Sequence, residues 1–435
     1  MSYRTYEVYS DSRIEWVGAA PSHWEVKPLL ATGIQSKKSN KGMVENNLLS
    51  LSYGRIVPKD ISAVDGLLPE SFETYQVIEK GDIVFRFTDL QNDKRSLRSA
   101  LVGERGIITS AYLAFTPEHV CSRFFSYQMR SFDKTKVFYA LGSGLRQSLN
   151  YSDARRLPVL IPPPAEQKQI ADFLDRETEQ IDNLIAEQEG LVANLTERRK
   201  AVISHAVTKG LNPEAELRDS GLEWSRQIPA GWVVDRISHL FRLISSGTTP
   251  DNDDLVGEDG DVCWVTTGEL RENYISGTRQ AVSFEIVQRT PTLKVYPPGT
   301  LLIAMYGATI GRLGILNVPA CTNQACCAMS GPLGVETRFI YFAFQGALEH
   351  IMLLASGGGQ PNINQDKVRS FRIPVPPLPE QREIVAYLEN QTALIAELIE
   401  EAKALIDLLK ERRSALISAA VTGKIDVRSE VLSRG

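Results

Sequence analysis

Two stretches of the chain carry an apolar stripe of helical period. From Ile170, the apolar positions Leu174, Ile181, Leu184, Leu191, Leu195 and Val202 follow steps built from threes and fours, and Ile384, Leu388, Ile395, Leu398, Leu405, Leu409 and Leu416 repeat the pattern near the C-terminus. This is a heptad seam, widened by Ile185, Val192, Ile399 and Ile406. Proline clusters at Pro162 to Pro164 and Pro374 to Pro379 precede the stretches, and Gly210 and Gly423 stand where helix stops belong. Each stretch predicts a helix of about 43 residues, roughly 60 Å long. A stripe that long needs an apolar partner. The two helices most simply pack on each other, with two separate dimerisation helices as the alternative. Glu177, Gln188, Gln391 and Arg412 are polar seam positions that would set the register. The long intervening segment favours an antiparallel pair, with Leu174 and Ile181 near Leu409 and Leu416, and Leu195 and Val202 near Leu388 and Ile395.

Elsewhere the pattern changes to short apolar runs punctuated by glycine. Gly81 to Phe87 and Gly106 to Phe115 read as strands, followed by a short helix from Arg123. Further on, Cys263 to Thr267, Pro297 to Leu316 and Thr322 to Met329 read as strands, and Arg338 to Ser356 as a helix. These blocks are mixed α/β (α+β). Both the helices and their approaches are duplicated. IPPPAEQKQIADFL from Ile161 aligns with VPPLPEQREIVAYL from Val375 at a constant offset, continuing without a gap to ERRKAVISHAVT and ERRSALISAAVT, with roughly 45% identity. DSRIEWVGAAPSHW from Asp11 likewise matches DSGLEWSRQIPAGW from Asp219. The predicted organisation is a first block over residues 1–160, a helix over 161–210, a second block over 211–373, a helix over 374–424 and a tail over 425–435.

A chain of 435 residues, 43% hydrophobic and 23% charged, has the composition of a folded protein of two or three units. MSYRTYEVYSDSR lacks the apolar core of a secretory signal, and no apolar run approaches the ~20 residues that span a bilayer. A cytoplasmic location without membrane association is therefore expected. The net charge of −5 is uneven: +4 over residues 1–160, then −3, −4 and −2 over 161–210, 211–373 and 374–435. A simple polyanion binder would be more basic, so partners are expected to supply part of any attraction to phosphate.

Catalytic motifs are missing. GATIGRLG from Gly307 lacks the lysine of a phosphate-binding loop, and no strand leads into G-x-G-x-x-G. Cys321, Cys326 and Cys327 cluster without a CxxC pair or matched histidines, so buried strand cysteines are expected rather than zinc ligands. The loops instead suit DNA. In the first block the candidates are Lys37, Lys38, Arg86, Gln91, Asn92, Lys94, Arg95, Arg98, Arg146 and Gln147; in the second they are Thr248, Thr249, Thr267, Tyr306, Thr309, Arg312, Asn323, Gln324, Gln360 and Asn362. Arg, Asn and Gln make bidentate contacts with base edges, while Thr and backbone amides hold phosphates.

With its paired P-P-x-x-E-Q helix starts, E-R-R…A-V-T helix ends, E-W…P-x-x-W entries and GATIGR-x-GIL followed by ACTNQACCA, the chain resembles the specificity subunit of Type I restriction–modification systems. The resemblance implies two target-recognition domains separated by two long conserved helices forming an antiparallel coiled coil, with a pseudo-twofold internal repeat. It implies that each domain reads one half of a bipartite site on double-stranded DNA. It also implies that the helices dock two methyltransferase subunits, joined by two restriction subunits that translocate and cut. S-adenosylmethionine, ATP and Mg would belong to those partners, with none bound by this chain, which would be non-catalytic. Arg198, Arg199, Arg412 and Arg413 at the helix ends are the candidate partner contacts. If each block reads a half-site, the helices act as a ruler, with half-site centres about 34–36 Å apart. The alternatives are a specificity subunit of a related bipartite-site methyltransferase or nuclease system, or a protein scaffold without DNA recognition.

Overall fold

A computed structural model describes residues 3–59, 71–88, 90, 97–141, 148–257, 260–355 and 362–428. The chain divides into two compact units, Met1–Glu189 with Ala404–Gly435, and Gly190–Lys403. Both long helices form: α1 spans Pro164–Lys209 (46 residues) and α2 spans Leu378–Val421 (44 residues). Beyond their ends, Gly210 and Gly423 adopt φ of +71° and +72°. This left-handed stop costs glycine no Cβ penalty.

In the first unit, β1 (Gly33–Ser36), β2 (Ile83–Phe85), β3 (Ser99–Leu101) and β4 (Leu113–Pro117) make an antiparallel sheet in the order β1-β4-β2-β3. The helix Ser122–Lys134 has two apolar faces. Phe125, Met129 and Phe132 join Ile83, Phe85 and Phe115 in one core, while Phe124 joins Ile170 and Leu174 of α1 in another. In the second unit, β5 (Phe241–Ser246), β6 (Asn273–Ile275), β7 (Leu301–Ala304), β8 (Leu313–Leu316) and β9 (Cys326–Pro332) make a sheet in the order β5-β9-β7-β8-β6. The first four positions repeat the strand order of the first unit, and β6 adds a parallel edge. A second parallel pairing is also repeated: Val262–Val265 runs beside Ala320–Thr322, as Leu48 bridges Ile107 in the first unit. The predicted run Gly106 to Phe115 is broken by a turn into Gly106–Ile108 and β4, and the run ending at Leu316 is broken into β7 and β8. The helix expected from Arg338 divides into Thr337–Gly346 and Leu348–Leu354.

The helices pair antiparallel within each unit, as expected. In the first unit Leu174 and Ile181 share a core with Leu409 and Leu416. In the second unit Ile203, Ala206 and Val207 share one with Ile384 and Leu388, and Val202 packs against it. The phase of the seam differs from expectation. Leu184, Leu191, Leu398 and Leu405 are 46%, 43%, 48% and 40% exposed. The positions that turn inward are Thr178, Ile181, Ile185, Gln188, Val192 and Leu195 on α1, and Ile395, Ile399, Ala402, Ile406 and Leu409 on α2. These keep a strict alternation of four and three, which holds one face toward a partner helix. The flanking apolar set is thus the seam itself. Arg412 is exposed and Arg413 takes the inward position.

The duplicated Glu-Gln pairs explain the duplicated tryptophans. Glu166, buried near the start of α1, accepts hydrogen bonds from the Tyr6 hydroxyl (2.6 Å) and the Trp24 indole (3.0 Å), and contacts His23 Nε2 at 2.8 Å. Burial, and then the hydrogen bond to this carboxylate, push the Tyr6 phenol pKa up. Gln167 accepts from the Cys121 amide and donates to the Pro162 carbonyl, both at 2.8 Å. In the second unit Glu380 accepts from the Trp232 indole (3.1 Å), and Gln381 accepts from the Glu336 amide (2.8 Å) and donates to Pro376 (2.9 Å). Gly231 occupies the place of His23 in the repeat, so Glu380 has fewer partners. Glu166→Ala is therefore expected to destabilise the first unit by about 1–3 kcal/mol through unpaired buried donors, and Glu380→Ala the second by less. Thermal unfolding of the two variants side by side checks the order.

The chain termini also meet in the first unit. The Asp426 amide donates to the Arg4 carbonyl at 2.7 Å, the Tyr9 hydroxyl donates to the Gly423 carbonyl at 2.9 Å, and Val427 is fully buried. The beginning of the predicted tail is thus part of this core.

Candidate nucleic-acid interface

In the second unit the register brings several loops to one end of the sheet. β5 ends at Ser246 opposite Cys327, β7 ends at Ala304 opposite Cys326, and Val265 lies opposite Thr322. The loops that follow are tied together by backbone hydrogen bonds. The Thr248 amide donates to the Thr322 carbonyl (2.9 Å), Asn323 to Val265 (2.9 Å), Met305 to Ala325 (2.8 Å) and Ile363 to Met305 (2.9 Å). The Thr249 hydroxyl donates to the Gln324 side-chain oxygen at 2.8 Å, and Tyr306 and Asn362 form a β-bridge. Thr248, Thr249, Thr267, Tyr306, Thr309, Arg312, Asn323, Gln324 and Asn362 are thereby gathered, although they come from five segments of sequence. Thr249, Tyr306, Arg312, Gln324 and Asn362 are exposed, and the other four are half-buried. Gly247 is required where the loops touch: a Cβ there would lie 1.8 Å from the Thr322 carbonyl oxygen.

Two arginines missing from the sequence-based set border this cluster. Arg271 and Arg279 are exposed beside a groove of about 540 Å³ that Asn273 and Thr278 also line. The Arg271 Nε donates to the Gly268 carbonyl (3.0 Å), in the turn that holds Thr267. Both lie in ordinary polar loops, and only the pairing of Trp264 with Gln280 (3.0 Å) carries Arg279 to this place.

The first unit has the same frame. The Arg86 amide donates to the Arg98 carbonyl (2.8 Å), as that of Ala304 does to Arg312 (2.9 Å), so Arg98 occupies the position of Arg312. Its environment is opposite. Arg98 is completely buried, donates to the Thr88 carbonyl (3.1 Å) and the Tyr139 hydroxyl (3.3 Å), and gives its amide to the buried Asp133 carboxylate. The expectation that Arg98 meets DNA is therefore corrected: its guanidinium is enclosed by protein acceptors and braces the strand. Lys37 and Lys38 are exposed, Lys38 lies 3.7 Å from Glu79, and Arg86 is half-buried. Gln91, Asn92, Lys94, Arg95, Arg146 and Gln147, together with Gln360 of the second unit, lie outside the described residues.

Residues 229–407 match the family model of the Type I restriction modification DNA specificity domain. The chain is 22% identical over 431 residues to the putative type I restriction enzyme MjaX specificity subunit of Methanocaldococcus jannaschii, covering 95% of this chain and 96% of that protein. Residues 229–407 are thus similar to that specificity domain, and the chain as a whole is similar to the specificity subunits of Type I restriction–modification systems. Solved structures agree on the fold. A chain from a structure described as the basis of complex assembly and conformational transition of the type I R-M system matches with TM-score 0.72 and 18% identity, over 92% of this chain and 98% of that one. The HsdS subunit from Thermoanaerobacter tengcongensis matches with TM-score 0.53 and 18% identity, over 93% and 98%.

At the helix ends the paired arginines divide their roles. Arg199 and Arg413 turn toward carboxylates of their own unit, Glu272 at 3.9 Å and Asp182 at 2.9 Å, while Arg198 and Arg412 are exposed. Cys321, Cys326 and Cys327 are buried strand residues, and burial pushes the Cys321 thiol up to about 11 and that of Cys327 to about 12. Among the described residues no group of His, Cys, Asp or Glu is arranged to hold a metal ion, and no helix is long and apolar enough to cross a membrane.

Proposed function

We propose that residues 1–160 and 211–373 each read one half of an asymmetric, bipartite site on double-stranded DNA, and that the chain does so as a non-catalytic specificity subunit. The observation that carries this reading is the gathering of Thr249, Tyr306, Arg312, Gln324 and Asn362 at one end of a sheet whose strand order recurs in the first block with different loop residues. One frame with two loop sets suits two unlike half-sites. Arg312 and Gln324 offer base-edge contacts, and the threonines and backbone amides offer phosphate contacts. Arg271 and Arg279 extend the cationic edge. The exposed leucines of α1 and α2, with Arg198 and Arg412, are the surface on which two methyltransferase subunits dock. Two restriction subunits complete the complex, and S-adenosylmethionine, ATP and Mg act in those partners, in the cytoplasm.

The test is methylation-site sequencing in cells carrying each variant with its methyltransferase partner. Arg312→Ala is expected to relax one half-site, at about 1–3 kcal/mol if the lost contact is to a base, and Arg86→Ala or Arg95→Ala to relax the other. Equal changes in both half-sites from either set would overturn the division of labour.

A further inference from the structure

We propose that the first unit carries an anion-binding pocket for a phosphate-bearing ligand, bounded by the hairpin Leu49–Pro58, the end of the helix Ser122–Lys134, and the segments of α1 and α2 in this unit. The cavity measures about 560 Å³. Arg55, Arg130, Lys134, Lys410 and Arg413 line it, against the carboxylates of Asp182 and Glu189. Those carboxylates are already engaged: Asp182 by Arg413 at 2.9 Å and Arg55 at 3.8 Å, Glu189 by Lys410 at 4.0 Å. Arg130 and Lys134 are left without a carboxylate among these, and the lining carries a net excess of positive charge.

Arg130 is the most telling of these. Among the described residues it has no carboxylate partner. It donates to the Gly54 and Ser99 carbonyls, and its Nε is buried without a hydrogen bond. Burial and the neighbouring positive charge of Arg413 push its pKa down, and the nearby Asp133 carboxylate opposes them only in part. Like charges in a partly enclosed site repel strongly, because little water screens them. The hairpin tip makes the arrangement permanent: Tyr53 and Gly54 both take left-handed φ (45° and 76°), which brings the Gly54 carbonyl onto Arg130. A guanidinium so held keeps its positive charge at the cavity wall, with little side-chain entropy left to lose when an oxyanion enters. Lys134 and Lys410 at the rim add mobile charge. A phosphate group supplies the missing negative charge, and the volume admits a diphosphate. The inference does not depend on the DNA-reading assignment above.

The full chain should be titrated with inorganic pyrophosphate by calorimetry at low ionic strength. One site per chain is expected. The double variant Lys134→Glu/Lys410→Glu should weaken binding about tenfold or more, and Asp182→Asn should strengthen it by freeing Arg55 and Arg413. A purely structural role for these residues would not produce changes of opposite sign. Repeating the titration with saturating nonspecific duplex identifies the source of the phosphate. Competition assigns it to a DNA backbone, and undiminished binding to a free polyphosphate. No pyrophosphate binding by the folded wild-type chain, or unchanged affinity in the double variant, would overturn the proposal.

Discussion

Replacing Ile181 by aspartate is expected to destabilise the first unit by about 3–5 kcal/mol, while the same change at Leu184, one helical turn away, should cost no more than about 0.5 kcal/mol. Ile181 is 5% exposed and shares a core with Leu174, Leu409 and Leu416. A carboxylate there loses its hydration beside Leu174, Leu409 and Leu416, so the penalty combines lost apolar burial with the desolvation of a charge. Leu184 is 46% exposed, and a charge at its position stays in water. Both are apolar residues of one stripe, and sequence alone places both in the seam. Unfolding of the two variants, followed by circular dichroism, separates them. Equal midpoints would contradict the observed phase of the seam.

Gly247→Ala is expected to abolish recognition of the half-site read by the second block while leaving the other intact. A Cβ at this position would stand 1.8 Å from the Thr322 carbonyl oxygen and 2.2 Å from the Thr322 hydroxyl oxygen. The first of these is backbone that cannot swing aside. The Gly247–Thr249 turn must therefore lift from the Thr322–Gln324 loop, breaking the bond from the Thr248 amide to Thr322 and that from Thr249 to Gln324. Overpacking of this kind costs about 1–3 kcal/mol, concentrated where the loops converge. Gly277→Ala is the control, since a Cβ there meets nothing within 4 Å. Methylation-site sequencing reads the half-sites, and thermal unfolding confirms that the sheet persists. An unaltered second half-site in Gly247→Ala would separate these loops from DNA recognition.

The duplication, the two long helices and their glycine stops were legible in the sequence because each is a local property. Heptad periodicity, proline before a helix and a left-handed residue after it act over a few neighbouring positions, and they hold wherever the segment lies in the fold. The Glu-Gln pairs and the tryptophans were visible as repeated motifs. Their contact was not, because Trp24 and Glu166 are 142 residues apart and only folding makes the indole a donor to that carboxylate.

Three matters were decided by tertiary structure. The stripe of each helix contained adjacent apolar residues, Leu184 with Ile185 and Leu398 with Ile399, and only the position of the partner helix selected the second of each pair. Arg98 and Arg312 follow the same strand register, yet the Thr88 carbonyl and the Tyr139 hydroxyl hold one guanidinium in the core while the other side chain stays in solvent. The five segments of the second interface become neighbours only through the order β5-β9-β7-β8 and its hydrogen bonds. Sequence by itself determined which elements form and that they occur twice, since those outcomes depend on short-range sterics and periodicity. Which side of each element meets protein and which meets water depended on neighbours distant along the chain, and that was settled only when the apolar faces packed.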